Sequence, residues 1–203
     1  MSSKGTTGQR RRGSALEAAI LQAGWDQLIE AGYEGFTIEA VATRSGSARS
    51  VLYRRWPSRL DLLKAVLRYR GEIDRIPVPD TGSLRGDVVA VLSEFNNRRS
   101  RIIGLIAARF GAYFNETQGS PQQLRDLFVP DGPSAMETIV QRAISRGELA
   151  TAPPARIVSL PTDLVRHELL MTMTAVPAET ILEIVDNIFL PLATEFGSNG
   201  AGA

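Results

Sequence analysis

Apolar residues recur three or four positions apart along most of the chain, the spacing that places them on one face of an α-helix. Leu16, Ile20, Ala23 and Leu28 show this spacing first, and Gly32 follows as a residue that favours a left-handed end to a helix. No stretch alternates apolar and polar residues over a useful length, as a strand would. The pattern therefore predicts an all-α protein.

Capping signals mark where several of these helices begin. At three predicted helix starts a serine is followed three residues later by an acid, the spacing of a capping box in which each side chain satisfies the other residue's amide. These pairs are Ser14–Glu17, Ser58–Asp61 and Ser134–Glu137. The predicted helices run over about 14–32, 38–45, 48–55, 58–67, 83–97, 101–114, 121–128, 134–147, 154–174 and 178–195.

The second and third predicted helices are short and are separated by a Gly-containing turn, 45–47. Two such helices form a DNA-reading unit when the second presents polar and basic side chains outward. Val51 and Leu52 can hold the third helix to its neighbours. The alternative is an arginine cluster on the surface of an ordinary helical hairpin. The side chains left for DNA on the third helix are Arg49, Ser50, Tyr53 and Arg54.

Charge is distributed unevenly although the net charge of the 203 residues is only +1. Residues 1–70 carry 12 Lys/Arg and 6 Asp/Glu, whereas residues 71–203 carry 11 and 16. A basic front part and an acidic rear part predict that the front faces a polyanion. Residues 1–12, which end in three arginines, are predicted as a disordered basic arm. That arm either enters a minor groove or adds only salt-dependent attraction.

Composition excludes several classes of site. The chain has no cysteine and one histidine, His167. Disulfide scaffolds, thiolate metal sites, thiol catalysis and a multi-histidine metal site within one chain are therefore excluded. We expect no metal and no cofactor. No run of apolar residues is long enough for a membrane span, and the N-terminal part is too polar for a signal peptide, so a cytoplasmic protein without membrane contact is expected.

A family resemblance is carried by residues 14–67. The stretches ILQAGWDQLIEAGYEGFTIEAVA and EAVATRSGSARSVLYRRWPSRLDLLKAVL are similar to the DNA-binding domain of TetR-family transcriptional regulators. The matching residues are an aromatic after the first helix, a threonine that opens the second, the turn glycine, a Leu-Tyr pair, an aromatic-Pro-Ser step and a basic residue after it. In this chain they are Tyr33, Thr37, Gly46, Leu52-Tyr53, Trp56-Pro57-Ser58 and Arg59.

The resemblance implies a role for each matching position. Thr37, Tyr53 and Arg44 would contact phosphates, and Arg59 would anchor the DNA backbone from the start of the fourth helix. Arg49 and Ser50 would lie in the major groove. The chain departs from many relatives after the turn glycine, where Val-Ser is replaced by Ser-Ala and the hydroxyl has moved back one position. The remaining residues assigned to the DNA surface are Ser47, Ala48 and Arg54.

The resemblance also implies an architecture. An N-terminal three-helix helix-turn-helix domain, 13–57, would be linked by the helix from residue 58 to a larger helical effector-binding and dimerisation domain, 58–196, followed by a flexible tail, 197–203. The last two helices, about 154–174 and 178–195, would pair with their copies in a homodimer. The alternative is that they only fill the core of one subunit. A dimer would bind a pseudo-palindromic operator in double-stranded DNA.

The sequence is less informative about a ligand site. The resemblance places a pocket for a small hydrophobic or amphipathic effector among the middle helices and the penultimate one. Aromatic and methionine residues at helical spacing belong more often to an ordinary core than to a pocket, and His167 fits equally well at an interface or on the surface. The candidate lining residues are Phe110, Tyr113, Phe114, Phe128, Met136, His167, Met171 and Met173.

The function predicted from these observations is a DNA-binding transcriptional regulator, and specifically a repressor that a small organic effector releases from its operator. Activation in place of repression stays open. The alternative from another class is an enzyme whose rear domain uses Asp163 and His167, four residues apart, as an acid–base pair. No phosphate loop, dinucleotide fingerprint, nucleophile elbow or zinc motif accompanies that pair, so no enzyme activity is predicted.

Overall fold

The computed structural model describes residues 6–128 and 132–198, with side chains for 13–100, 110–120, 122–128 and 132–197. In those ranges the chain is all-α, as predicted, and has no strand. The helices are α1 (Thr6–Gly35), α2 (Ile38–Ser45), α3 (Arg49–Arg55), α4 (Arg59–Ile73), α5 (Leu84–Arg109), α6 (Gly111–Thr117), α7 (Pro121–Phe128), α8 (Ala135–Ser145), α9 (Ala155–Thr172), α10 (Ala178–Glu183), a π-helical segment (Ile184–Phe189) and α11 (Leu190–Ser198).

The chain divides into two compact units. The first comprises Met1–Arg75 and Ile106–Pro130, and therefore holds α1 to α4, α6 and α7. The second comprises Ile76–Leu105 and Asp131–Ala203, and holds most of α5 and everything from α8 onward. The functional division after residue 57 that the sequence suggests stays a prediction.

The first unit is built around α1, against which α2 and α4 pack. Gly24 makes the close approach of α4 feasible, because a Cβ at this position would lie 2.6 Å from Val66 Cγ2. Burial of these helices' apolar faces is the main stabilising contribution to the unit. The fully buried side chains are Ile20, Leu28, Phe36, Val41, Leu52, Leu62, Leu63, Val66 and Leu67.

Both ends of α1 differ from the prediction. The helix begins at Thr6 rather than Ser14, so residues 6–12 of the predicted disordered arm are helical and the predicted capping box at Ser14 is wrong. Gln and Arg are good helix formers, which allows the helix to continue upstream. At the other end the backbone breaks at Gly32 as predicted, but with φ 69° and ψ −176° rather than a left-handed helical cap.

The two predicted flexible ends of the chain are described only in part. Residues 1–5 of the predicted arm and 199–203 of the predicted tail lie outside the described residues. Gly197 and Ser198, at the start of that tail, belong to α11. The Gly197 carbonyl accepts a hydrogen bond from the Thr151 amide at 3.0 Å, so this part of the predicted tail is held to the second unit.

The other predicted caps are confirmed. Thr37 accepts a hydrogen bond from the Ala40 amide, and both remaining capping boxes have their two reciprocal hydrogen bonds. Gly147, with φ 78°, follows the end of α8. These signals depend on residues within one turn of each other, which explains why sequence alone locates them.

The middle of the chain contains one long helix where two were predicted. The proposed break between 97 and 101 is wrong, because α5 runs without interruption to Arg109 and the short α6 follows. Asn96 does not compete with the backbone of its own helix. Its buried amide instead donates to the Val176 carbonyl at 2.9 Å and accepts from the Val176 amide at 2.9 Å. This pair of bonds fixes the connection between α9 and α10 to α5.

A polar network joins the start of α5 to the end of α8 in the second unit. The carboxylate of Asp87 has no solvent exposure and accepts hydrogen bonds from the Thr81 amide at 2.5 Å, the Thr81 hydroxyl at 2.8 Å and Arg146 Nη2 at 3.0 Å. Glu148 accepts from the Leu84 amide at 2.7 Å and from Arg146 Nε at 2.6 Å. An acid at a helix N-terminus also interacts favourably with the helix dipole.

A π-helical segment lies at the centre of the last helical stretch. In a regular α-helix, two residues spaced four apart point in directions that differ by about 40°. The wider π-turn compensates for this rotation, so buried residues spaced four apart stay on one face of the helix. Asp186 within the segment receives two hydrogen bonds from Arg85, at 2.7 and 2.8 Å. The buried residues spaced in this way are Ile181, Val185, Phe189 and Ala193.

Within the residues that the structure describes, every helix is too short or too polar to span a lipid bilayer.

Candidate nucleic-acid interface

The α2–turn–α3 segment has the geometry of a helix-turn-helix. Gly46 ends α2 in the left-handed conformation, with φ 64° and ψ 23°. Residues that carry a side chain disfavour this conformation. The Ser47 amide donates back to the Ala42 carbonyl at 3.0 Å. Leu52 is fully buried and Val51 is half-buried, so they hold α3 against its neighbours as predicted.

One face of α3 is exposed. Its residues at positions 49, 50, 53 and 54 follow helical spacing, so they lie side by side. Arg49 and Arg54 form no salt bridge with any residue in the described part of the chain, and both guanidinium groups are available to a ligand. The exposed side chains on this face are Arg49, Ser50, Tyr53 and Arg54.

Tyr53 has an acidic partner on α2. Its hydroxyl donates to Glu39 Oε1 at 2.8 Å. This hydrogen bond is the main cause that lowers the pKa of Glu39, and a backbone hydrogen bond and the positive charge of Arg49 act in the same direction. The same bond raises the pKa of Tyr53. At neutral pH Glu39 is therefore ionised and the Tyr53 hydroxyl retains its proton.

Two further arginines of this region are held by acids of α1. Arg44 at the end of α2 donates to Glu30 Oε1 at 2.5 Å and to Gln27 Oε1 at 3.0 Å. The bond from Arg44 is the main cause that lowers the pKa of Glu30. Arg55 at the end of α3 forms an ion pair with Glu17. These pairs connect α2 and α3 to α1 across the surface of the unit.

The turn itself shows the effect of the Ser-Ala sequence. Ala48 occupies the N-cap position of α3 and provides no side-chain hydrogen bond. The Ser47 hydroxyl oxygen is buried and has no hydrogen-bond partner among the described residues. Moving the hydroxyl back by one position thus leaves α3 without a side-chain cap.

Arg59 contacts Tyr33 at the end of α1 and Glu116 of α6. Its Nη2 donates to the Tyr33 carbonyl at 2.7 Å, and its guanidinium carbon lies 3.7 Å from the centre of the Tyr33 ring. Glu116 of α6 lies 3.6 Å from the same nitrogen and accepts from the Tyr33 hydroxyl at 3.1 Å. Burial is the main cause that raises the pKa of Tyr33, and Glu116 adds to it against the opposing charge of Arg59.

Four of the candidate effector residues lie in the first unit and are packed against other aromatic rings. Tyr113 is 5.9 Å from Phe110, 5.4 Å from Phe114 and 5.5 Å from Tyr33, measured between ring centres. Phe128 lies 6.1 Å from Trp25. All these pairs have the edge-to-face arrangement of stably packed aromatic side chains.

The other candidate effector residues belong to the second unit and do not form one cluster. Met136 is buried in the core of that unit, whereas His167, Met171 and Met173 are exposed. The exposed fraction of Met171 is 66% and that of Met173 is 51%. Met173 also ends α9 with a left-handed backbone, at φ 54°.

The predicted acid–base pair of the enzyme alternative does not form. Asp163 accepts from Arg166 Nη1 at 2.5 Å and from Arg156 Nη1 at 3.5 Å, and within the described residues it has no hydrogen bond with His167. In the same residues, no cluster of three His, Cys, Asp or Glu side chains could hold a metal ion.

Sequence reasoning missed the acids that surround the helix-turn-helix. Glu17, Glu30, Glu39 and Glu116 lie 14 to 83 residues from their partners Arg55, Arg44, Tyr53 and Tyr33. No spacing between residues within one helix indicates such pairs. The only sequence signal is the position of each acid on a polar helix face, which is typical of any solvated helix.

Two family models match the chain. Residues 20–66 match the model for bacterial regulatory proteins of the tetR family. Residues 78–188, more than half of the chain, match the model for the tetracyclin repressor-like C-terminal domain. Together they cover the helix-turn-helix and most of the second compact unit.

Individual relatives agree with these models. An HTH-type transcriptional regulator of Mycobacterium tuberculosis is 29% identical over 187 residues, which cover 89% of this chain and 89% of that protein. A DNA-binding transcriptional repressor TetR of Mycobacteroides abscessus is 26% identical over 137 residues, which cover 68% and 72%. The crystal structure of a tetR-family transcriptional regulator from Streptomyces coelicolor has a TM-score of 0.57 at 20% identity, covering 86% of this chain and 78% of that one.

Proposed function

Because this chain belongs to the tetR family of bacterial regulatory proteins, it is a DNA-binding transcriptional regulator, and we propose that it is a dimeric repressor that a small organic molecule releases from DNA. The two copies of α3 would enter the major groove of a pseudo-palindromic operator, about 34–36 Å apart. The ligand would favour a dimer in which this spacing is wrong.

The observation that carries the DNA-binding part is the exposed face of α3 with two arginines that have no salt bridge among the described residues. Arg49 and Ser50 are assigned to base edges, where arginine donates to guanine through two parallel hydrogen bonds. Tyr53, Arg54 and Thr37 are assigned to phosphates. Ser47 and Ala48 would lie next to the DNA backbone at the start of α3.

Arg44 and Arg59 have a smaller part in this proposal than the family resemblance implies. Arg44 already donates to Glu30 and Gln27, and Arg59 already donates to the Tyr33 carbonyl. A phosphate could use only the N–H groups that these bonds leave unused, or would have to displace a present partner, so it gains less binding free energy than from a guanidinium without a salt bridge among the described residues. The predicted phosphate contacts of both residues therefore rank below that of Arg54.

The dimer part is supported by apolar side chains that the second unit leaves exposed. They lie at the C-terminal end of α9 and along the last helical stretch, where the homodimer contact was predicted. Large apolar side chains that stay exposed in one subunit favour an interface between two copies of a chain. These residues are Leu170, Met171, Met173, Leu182, Ile188 and Phe196.

The effector part rests on the family and on the aromatic residues around Tyr113. A hydrophobic or amphipathic molecule could bind among these rings in the first unit. Contacts between the rings and the molecule would then replace edge-to-face contacts between the rings. Met136, His167 and Met171, which belong to the second unit, stay proposed contacts of the effector. Thermal-shift screening of aromatic and aliphatic small molecules tests this, and replacing Tyr113 by alanine should abolish any shift found.

A selection experiment that starts from random duplexes tests the DNA-binding part. Purified protein is used to enrich duplexes from the random library, and the expected product is an inverted repeat with half-sites about one helical turn apart. An enriched site without inverted symmetry would contradict the dimeric mode, and no enrichment at all would contradict sequence-specific binding.

Variants then assign the contacts. Arg49→Ala should relax the base preference at one position and weaken binding by about 1–3 kcal/mol. Arg54→Ala should weaken binding to every duplex and reduce the salt slope by about 0.9. Arg75→Ala, an exposed arginine at the end of the first unit's N-terminal segment, is the charge-matched control and should change neither quantity.

A further inference from the structure

Glu39 places a negative charge at the edge of the surface proposed to face DNA. It lies in the first turn of α2, and its carboxylate accepts a hydrogen bond from the Tyr53 hydroxyl at 2.8 Å. The acids that hold Arg44 and Arg55 come from α1. Glu39 differs from them because its partner is a side chain of the exposed α3 face itself.

The hydrogen bond between these two residues matters because a tyrosine hydroxyl has a single proton to donate. A DNA phosphate that accepts this proton must replace Glu39 as the acceptor. The phosphate would also bring its own negative charge close to an ionised carboxylate, and like charges at this separation repel even in water. The lowered pKa of Glu39 means that this repulsion is present throughout the neutral range.

The Glu39 carboxylate also interacts with the charge of Arg49. This positive charge contributes to keeping Glu39 ionised, and the reverse attraction reduces the positive potential that Arg49 presents to a polyanion. Binding that lacks sequence specificity depends almost entirely on that potential and on phosphate contacts. One carboxylate therefore acts on both the hydroxyl and the charge through which α3 would attract DNA of any sequence.

We infer that Glu39 is a positioning residue that competes with DNA phosphate for the Tyr53 hydroxyl and so holds down sequence-independent binding to DNA. This inference rests on the proposed function, because it needs α3 to face the duplex. It assigns to Glu39 a role that is the opposite of a DNA contact: without it, Tyr53 and Arg49 would engage phosphates on any duplex more readily.

The test uses a mixed-sequence duplex and full-length protein at several salt concentrations. Glu39→Gln retains an oxygen acceptor and removes the charge. It should tighten binding about five-fold, as expected for one charge interaction close to the surface in water. Glu72→Gln on α4 is the matched control, because it makes the same change in net charge at an exposed acid and should leave binding unchanged.

A double-variant cycle separates competition for the hydroxyl from a simple charge effect. In a Tyr53→Phe background no proton is contested, so Glu39→Gln should tighten binding less than it does in the wild type. An equal gain in both backgrounds would overturn the inference, as would weaker or unchanged binding by Glu39→Gln alone. Circular dichroism of all four proteins verifies that each is folded.

Arg54→Ala, measured on the same duplex, distinguishes the two levels of the argument. If it weakens binding while Glu39→Gln has no effect, the inference about Glu39 fails and the proposed interface stands. If Arg54→Ala has no effect either, the proposed interface itself fails.

Discussion

The guanidinium carbon of Arg59 lies over the ring of Tyr33, 3.7 Å from its centre, and the same side chain donates to the main-chain carbonyl of Tyr33 at 2.7 Å. One side chain at the start of α4 thus fixes both the ring and the backbone at the end of α1. Glu116 of α6 contacts both partners. This cluster connects three helices of the first unit, α1, α4 and α6.

We predict that Arg59 stabilises the fold. Arg59→Ala should lower the free energy of unfolding by about 1–2 kcal/mol, the sum expected for one cation–π contact and one hydrogen bond. The loss of stability stays moderate because the Arg59 Nε is buried without a hydrogen-bond partner among the described residues, which is unfavourable in the folded state. The substitution removes this unfavourable group together with the favourable contacts. Urea unfolding measures it. Arg54→Ala is the control and should change stability by less than about 0.5 kcal/mol; equal effects of both variants would contradict this role.

A second prediction concerns the uncapped start of α3. Ala48 has the extended backbone of an N-cap, with φ −70° and ψ 137°, but no side-chain oxygen. Ala48→Ser should supply one and raise the free energy of unfolding by about 1 kcal/mol. Ser58→Ala, which removes the existing cap of α4, should have the opposite sign and a similar size. Thermal unfolding followed by circular dichroism compares them, and a lower melting temperature for Ala48→Ser would show that the serine does not cap.

The third prediction is a dependence on pH in the second unit. Burial alone would raise the pKa of Asp87, but the hydrogen bonds from the Thr81 amide, the Thr81 hydroxyl and Arg146 outweigh it and lower that pKa. A carboxyl whose pKa is lowered on folding stabilises the protein above its unfolded pKa, about 3.9 for Asp, and this stabilisation disappears as the pH falls below that value.

Asp87→Asn removes this contribution. At neutral pH the variant should be less stable than the wild type by about 1–3 kcal/mol, because the amide presents a donor to Arg146. Unfolding experiments between neutral pH and about pH 3 should show the difference shrinking at the acid end. A difference that stays constant over this range would mean that the Asp87 carboxylate does not titrate with folding.

The fourth prediction concerns the close contact of α4 with α7. A Cβ on Gly71 would lie 2.2 Å from the Phe128 carbonyl oxygen. Gly71→Ala should therefore force the two helices apart and destabilise the protein by about 1–3 kcal/mol. Gly111→Ala is the matched control, since a Cβ at this exposed helical position meets no atom within 4 Å and should be neutral or slightly stabilising. Urea unfolding of both variants compares the loss of stability expected for Gly71→Ala with the unchanged or slightly higher stability expected for Gly111→Ala.

Features determined within one or two helical turns could be predicted from the sequence. The caps at Thr37, Ser58 and Ser134 and the turn at Gly46 are examples, because all their partners lie within a few residues. The same reasoning failed at Ser14, where the capping signature is present but the helix continues upstream. A local signal defines a helix start only when the preceding residues do not extend the helix.

Features that depend on distant residues could not be predicted in this way. The uninterrupted α5 contains Asn96, whose side-chain amide bonds to Val176 eighty positions away. At the candidate interface, helical spacing was sufficient to select the exposed residues of α3. It could not reveal that Tyr53 has an acidic partner on α2 or that Arg59 folds back onto Tyr33.

The π-helical segment is equivalent to one extra residue accommodated in the last helix without turning the residues that follow it. The wider turn over Ile184–Phe189 absorbs the rotation of about 100° that one residue adds to a regular α-helix. Deleting one residue within this segment would therefore restore a continuous α-helix, with Ala193 still in the core and the exposed ring of Phe196 facing as it does now. The same deletion within α11 would turn every residue after it by about 100°. The π-helical segment is thus a place where the last helix can change its length without changing the direction in which its apolar side chains face.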